Sequence, residues 1–219
     1  VSGVYTMEIG CRLTMVSNTN TLFSLTSSDP YSNTSGNTML GQNQTECDTK
    51  IGTANYDIGH VFSTGGGGVA YLGCICTASS KAGGVTGSSD PVGDPFDIDY
   101  VAHEMGHQFG GNHTFSSNQG SCSGNGSTIS AVEPGSGSTI MAYAGICSPT
   151  NVQSNSDAYF SFKSLDQIMA EVLTNDCSTA VPTAMTNTAP TVTVPSTTYS
   201  IPISTPFVLT ANGSDVNGD

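Results

Sequence analysis

The 219-residue chain carries four Lys and Arg against 17 Asp and Glu, a formal net charge of −13, and only 10% of its residues are charged. With Arg12 as the sole arginine and no basic cluster, neither a phosphate backbone nor an anionic membrane surface is a fitting partner. No apolar run approaches the length of a membrane span.

Ile9, Cys11, Leu13 and Met15 alternate with Gly10, Arg12, Thr14 and Val16, which predicts a strand over Ile9–Val16. A polar loop follows to about Thr38. Leu40, Cys47 and Ile51 form a partial apolar stripe, predicting a helix over Met39–Ile51. Tyr56–Ser63 and Val69–Cys76 read as strands, separated by the glycines 65–68. Thr77–Pro95 is glycine-rich and patternless, and is expected to be a loop. Asp97–Phe109 reads as a helix, with Asp97 and Asp99 at its positive end and Gly110–Gly111 closing it. Leu165, Ile168, Met169, Val172 and Leu173 are spaced i, i+3, i+4, i+7, i+8, giving an amphipathic helix over Ser164–Leu173. After Cys177 the composition shifts to proline and threonine. Residues 178–195 read as a linker, and 196–219 as the beginning of a β-sandwich with strands at YSIPI (199–203) and FVLT (207–210).

Seven cysteines, at 11, 47, 74, 76, 122, 147 and 177, contain no CxxC pair. This spacing suits disulfides in an oxidising compartment better than a zinc ribbon, and the odd count leaves one thiol unpaired within the chain.

The chemistry concentrates at HEMGHQFGGNH, residues 103–113. His103 and His107, four apart, share one face of a helix and can grip one metal ion. Gly110 permits a turn that brings His113 back as a third ligand, leaving one position open as in catalytic zinc sites. Glu104 can face that open position as a general base. His60, alone on an apolar strand, is expected to be structural.

HExxHxxGxxH is the zinc motif of the metzincin metallopeptidases. STIMAY at 138–143 matches their methionine turn at Met141. YDIGHVF (56–62), GVAYLGCIC (68–76), KAGGVTG (81–87) and SDAYFSFKSLDQI (156–168) before Cys177 are similar in order to the adamalysin or reprolysin branch. The chain thus resembles secreted bacterial reprolysin-like enzymes over about residues 1–177. The resemblance implies an α+β catalytic domain of two subdomains, with a mixed sheet and a zinc-binding helix. Val1–Met7 would be the end of that domain's first helix, with the opening strand missing and an N-terminal companion segment as a candidate partner. It implies a secreted zinc endopeptidase acting on protein or peptide substrates, with zinc on His103, His107 and His113 and Glu104 activating the attacking water. Met141 would form an apolar floor. Gly68, Val69, Ala70, Tyr71 and Leu72 would bind extended substrate by strand addition. The branch usually has proline where this chain has Tyr143. In other metzincins a tyrosine there can ligate zinc and swing away, so Tyr143 is either a catalytic group or a buried structural residue. The resemblance also implies disulfides Cys76–Cys177 and Cys122–Cys147, with Cys11–Cys47 as a weaker third and Cys74 free. Calcium is a further candidate, at Asp90, Asp94, Asp97 and Asp99 or at NGSDVNGD (212–219). The alternatives are a noncatalytic binding module on a zinc-stabilised scaffold, or an inactive truncated peptidase.

Overall fold

The computed structural model describes residues 1–24, 29–177, 188, 190–195 and 198–216. The chain divides into two compact units, Val1–Ser178 and Thr179–Asp219. The first is α+β: helices α1 (Ser2–Ile9) and α2 (Gly36–Lys50), strands β1 (Val61–Ser63), β2 (Gly67–Ala70) and β3 (Gly84–Gly87), short α3 (Gly93–Phe96), α4 (His103–Gln108) and α5 (Phe162–Thr174). A π-helical stretch, Asp97–Ala102, joins α3 to α4 without a break. Among the described residues no helix is long and apolar enough to cross a membrane.

The sheet order is β1–β3–β2, with β1 parallel and β2 antiparallel to β3. Val69 faces Val85 across the antiparallel pair. The central strand is therefore β3, inside the stretch expected to be a loop. Glycines at both of its ends leave Val85 and Thr86 as its only side chains, too few to display a period of two.

Three strand expectations in the first unit are corrected. Ile9–Val16 is not a strand: Gly10 takes a left-handed conformation (φ 70°) and ends α1, and residues 11–16 run on without regular structure. The alternation survives only as burial, since Cys11 and Leu13 lean on the core while Met15 is exposed. The strand of 56–63 shrinks to β1. The strand expected over Val69–Cys76 stops at Ala70, because the next residues turn back to serve α4. The amides of Gly73 and Cys74 donate to the carbonyls of His107 (2.9 Å) and Gln108 (2.9 Å), satisfying acceptors at the end of that helix.

The main core lies beneath the π stretch and α4. Tyr5 and Ile9 of α1 pack there with Ile98, Val101, Met105, Phe109, Ile140, Met141, Phe160 and Ile168. Tyr5 is fully buried, donates its hydroxyl to the Ala102 carbonyl at 2.9 Å, and meets Phe160 edge-on at 5.4 Å between centroids. α5 is seeded by Ser161, whose hydroxyl accepts from the Ser164 amide at 3.2 Å.

Disulfides join Cys76 to Cys177 and Cys122 to Cys147. Cys11, Cys47 and Cys74 are free thiols. The Cys11–Cys47 pairing is thus overturned: Cys11 packs against the main core, whereas Cys47 is buried in a separate cluster with Ile51, Tyr56 and Ala82.

In the second unit, β4 (Thr191–Thr193) and β5 (Asn212–Ser214) form a two-stranded antiparallel sheet. The strands expected at 199–203 and 207–210 are absent. Described residues 198–210 contain no strand, and β4 and β5 flank them. Proline within YSIPI removes a backbone donor, which disfavours ladder pairing there. Most of the linker expected over 178–195 lies outside the described residues, as does the end of the 212–219 calcium candidate.

Candidate metal centre

α4 presents His103 and His107 on one face, with Glu104 between them. The helix ends at Phe109, and Gly110 (φ 91°) reverses the chain toward His113. Potential ligand atoms of His103, His107 and His113 lie within 4.8 Å of one another. Among the described residues this is the one grouping of three or more such side chains close enough for an ion. Asp90, Asp94, Asp97 and Asp99 do not form another.

Each imidazole is oriented by a backbone carbonyl. His103 Nδ1 meets Ile140 O at 2.7 Å, His107 Nδ1 meets Gly111 O at 2.7 Å, and His113 Nδ1 meets Asn125 O at 2.6 Å. A carbonyl only accepts, so all three Nδ1 atoms carry the proton. In the neutral rings every Nε2 is then a bare lone pair. Yet His113 Nε2 lies 3.2 Å from His103 Nε2 and 3.0 Å from His107 Nε2. Lone pairs converging this closely repel unless a cation sits among them. Tetrahedral zinc with bonds of about 2.0–2.1 Å separates ligand nitrogens by about 3.3 Å, close to this spacing. The residues present therefore fit a zinc ion. Burial, with like-charge neighbours, lowers the pKa of His103 far below its usual value and that of His107 to about 4; burial also lowers that of His113. Neutral imidazole is the ligand form.

Glu104 is 7% exposed, and burial pushes its pKa up to about 8. Gly68 of β2 lies directly against it: a Cβ there would stand 2.3 Å from Glu104 Oε1. Only glycine lets the strand come this near to the carboxyl. Met141 is fully buried beneath α4, and a Cβ on Gly106 would meet its sulfur at 2.3 Å. Tyr143 packs on His113 (4.6 Å between centroids), Phe115 (4.7 Å) and His103 (5.5 Å). Burial, then the charge of Glu104, pushes its phenol up to about 12, so the hydroxyl keeps its proton.

A profile of the metallo-peptidase family M12B, reprolysin-like, matches residues 1–172. The chain belongs to this family. Among curated proteins none matches it. Membership makes the chain one of the metzincin metallopeptidases, and the mixed sheet with its histidine-bearing helix is their α+β fold. Of the residues expected to line the reprolysin-like cleft, Gly68, Val69 and Ala70 lie in β2, an edge strand. Tyr71 and Leu72 fall beyond it, exposed in the turn toward Cys76.

Two positions beside the site carry no signal in a search for ligands. Gln108, fully buried, accepts from His60 Nδ1 at 2.7 Å and donates to the Gly59 carbonyl at 2.9 Å, while His60 Nε2 accepts from Thr86 at 2.8 Å. His60 is thereby a structural link from α4 to β3, and burial lowers its pKa to about 4. The other is Glu133, whose carboxylate takes hydrogen bonds from residues on both sides of the site. A glutamate 20 positions past His113, in a loop of serine and glycine, resembles any solvated acid in sequence.

Proposed function

We propose that the chain is a secreted zinc endopeptidase that hydrolyses peptide bonds of protein or peptide substrates, with His103, His107 and His113 as ligands and Glu104 as general base. The observation that carries this reading is the convergence of three unprotonated Nε2 atoms, two of them on the helix that also carries the buried Glu104. A zinc ion held there would polarise the scissile carbonyl and lower the pKa of the attacking water. Glu104, ionised beside that cation, takes a proton from the water as it attacks and delivers it to the leaving amine. The protonated Tyr143 hydroxyl donates to the oxygen on which charge develops. Met141 supports the histidines from below and touches no reacting atom. An extended substrate adds along the outer edge of β2, at Gly68–Ala70, with Tyr71 and Leu72 available to its flanking side chains. Disulfides Cys76–Cys177 and Cys122–Cys147 support an oxidising, extracellular setting.

The test is cleavage of an unfolded protein by wild type and by Glu104→Ala, with zinc content measured on both. Equal zinc with cleavage lost only in the variant is expected. A zinc-loaded wild type that cleaves nothing the variant spares would leave a zinc-stabilised binding module instead.

A further inference from the structure

Glu133 lies in an irregular segment between His113 and Met141, yet its carboxylate is fully engaged. Oε1 accepts from the amides of Ser138 (2.9 Å) and Thr139 (3.1 Å). Oε2 accepts from the hydroxyls of Thr139 (2.6 Å) and Thr114. Two donors on each oxygen fill the four acceptor positions of a carboxylate.

These donors sit next to the groups that orient the histidines. Thr114 directly follows His113, and the backbone repeats the tie: Glu133 N donates to Thr114 O at 2.9 Å, and Thr114 N donates to Met141 O at 3.1 Å. Thr139 directly precedes Ile140, whose carbonyl fixes the His103 ring at 2.7 Å. One side chain thus clamps the segment carrying His113 to the segment that aims His103 and supports Met141. Among the described residues, no disulfide or ion pair joins these two stretches directly; the nearer disulfide links Cys122 to Cys147.

We infer that Glu133 is a positioning residue for the metal centre, setting the placement of His113 relative to His103 through Thr114 and Thr139. The inference rests on the zinc reading above. Its effect is on metal affinity and ligand geometry, as for groups that orient metal ligands generally.

Two variants separate this role from plain stability. Glu133→Ala removes all four acceptor positions. Glu133→Gln keeps the shape: its oxygen serves the two amides and its nitrogen can donate to the two hydroxyls. Zinc affinity is measured by chelator competition, and the site is loaded with cobalt(II) to record the visible spectrum. Glu133→Ala is expected to bind zinc about 10- to 100-fold more weakly and to change the cobalt band. Glu133→Gln is expected to recover most of the affinity and the wild-type band. If Glu133→Ala does not fold, Thr114→Val combined with Thr139→Val removes the hydroxyl ties while leaving both amides, and a several-fold loss of affinity with an altered band is expected. A folded alanine variant, or failing that the double valine variant, with wild-type affinity and spectrum overturns the inference alone. A wild-type chain that takes up neither metal overturns the zinc reading, and this inference with it.

Discussion

Replacing Glu104 by glutamine should stabilise the metal-free protein at pH 8 and change it little at pH 5. Burial raises this carboxyl from 4.5 to about 8 in the folded chain. The folded state therefore holds a proton that the unfolded state releases above pH 4.5. The stability this proton provides is complete below pH 4.5 and is lost as pH rises through 8. The interval of about 3.5 units, at about 1.4 kcal/mol per unit, caps the cost of the charge at about 5 kcal/mol. Local relaxation and water entry on ionisation bring the expected cost nearer about 3 kcal/mol. Glutamine has the same volume and cannot ionise, so the variant escapes that cost. The assay is urea unfolding of chelator-treated wild type and variant, disulfides intact, at pH 5 and pH 8. The variant should be more stable by about 3 kcal/mol at pH 8 and by less than about 1 kcal/mol at pH 5. A difference that is equal at the two pH values, or absent at both, would refute burial as the cause.

The histidines titrate with the opposite sign. Their folded pKa values lie below 6.5, so metal-free protein in the Glu104→Gln background should lose stability as pH falls from 6.5 toward 4, as unfolding titrations across that range would record. Gly106→Ala drives a Cβ into the Met141 sulfur and should cost about 1–3 kcal/mol, read as a lower melting temperature. Gly68→Ala should displace the flexible Glu104 carboxyl while sparing the fold: zinc content holds, and kcat/KM falls about 100-fold on an unfolded protein substrate. Removing Cys76–Cys177, which spans 101 residues, should cost about 4–5 kcal/mol in urea unfolding, against about 3.5 kcal/mol for Cys122–Cys147, which spans 25.

The histidine cluster is legible because its geometry is local. Four residues of helix bring His103 and His107 to one face, and Gly110 returns the chain within one turn, so spacing alone implies the cluster. α5 was legible for the same reason, from its apolar stripe. What sequence could not display is set by distant partners. β3 has only two side chains and owes its place to pairing on both edges. Ile9–Val16 has a strand's alternation but, among the described residues, no strand to pair with, and Gly10 ends a helix. Cys11 and Cys47 differ in which cluster they enter, a matter of packing and not of spacing. Glu133 acts through donors at 114, 138 and 139, and nothing in its own neighbourhood marks it.

The proposed activity requires three histidines to hold a zinc ion against which Glu104 activates water. Metal analysis paired with digestion of an unfolded protein, by wild type and by Glu104→Ala, tests it most directly. One zinc per chain in both proteins and cleavage by wild type alone are expected. A wild type without zinc, or a Glu104→Ala variant that cleaves as fast as wild type, would contradict it.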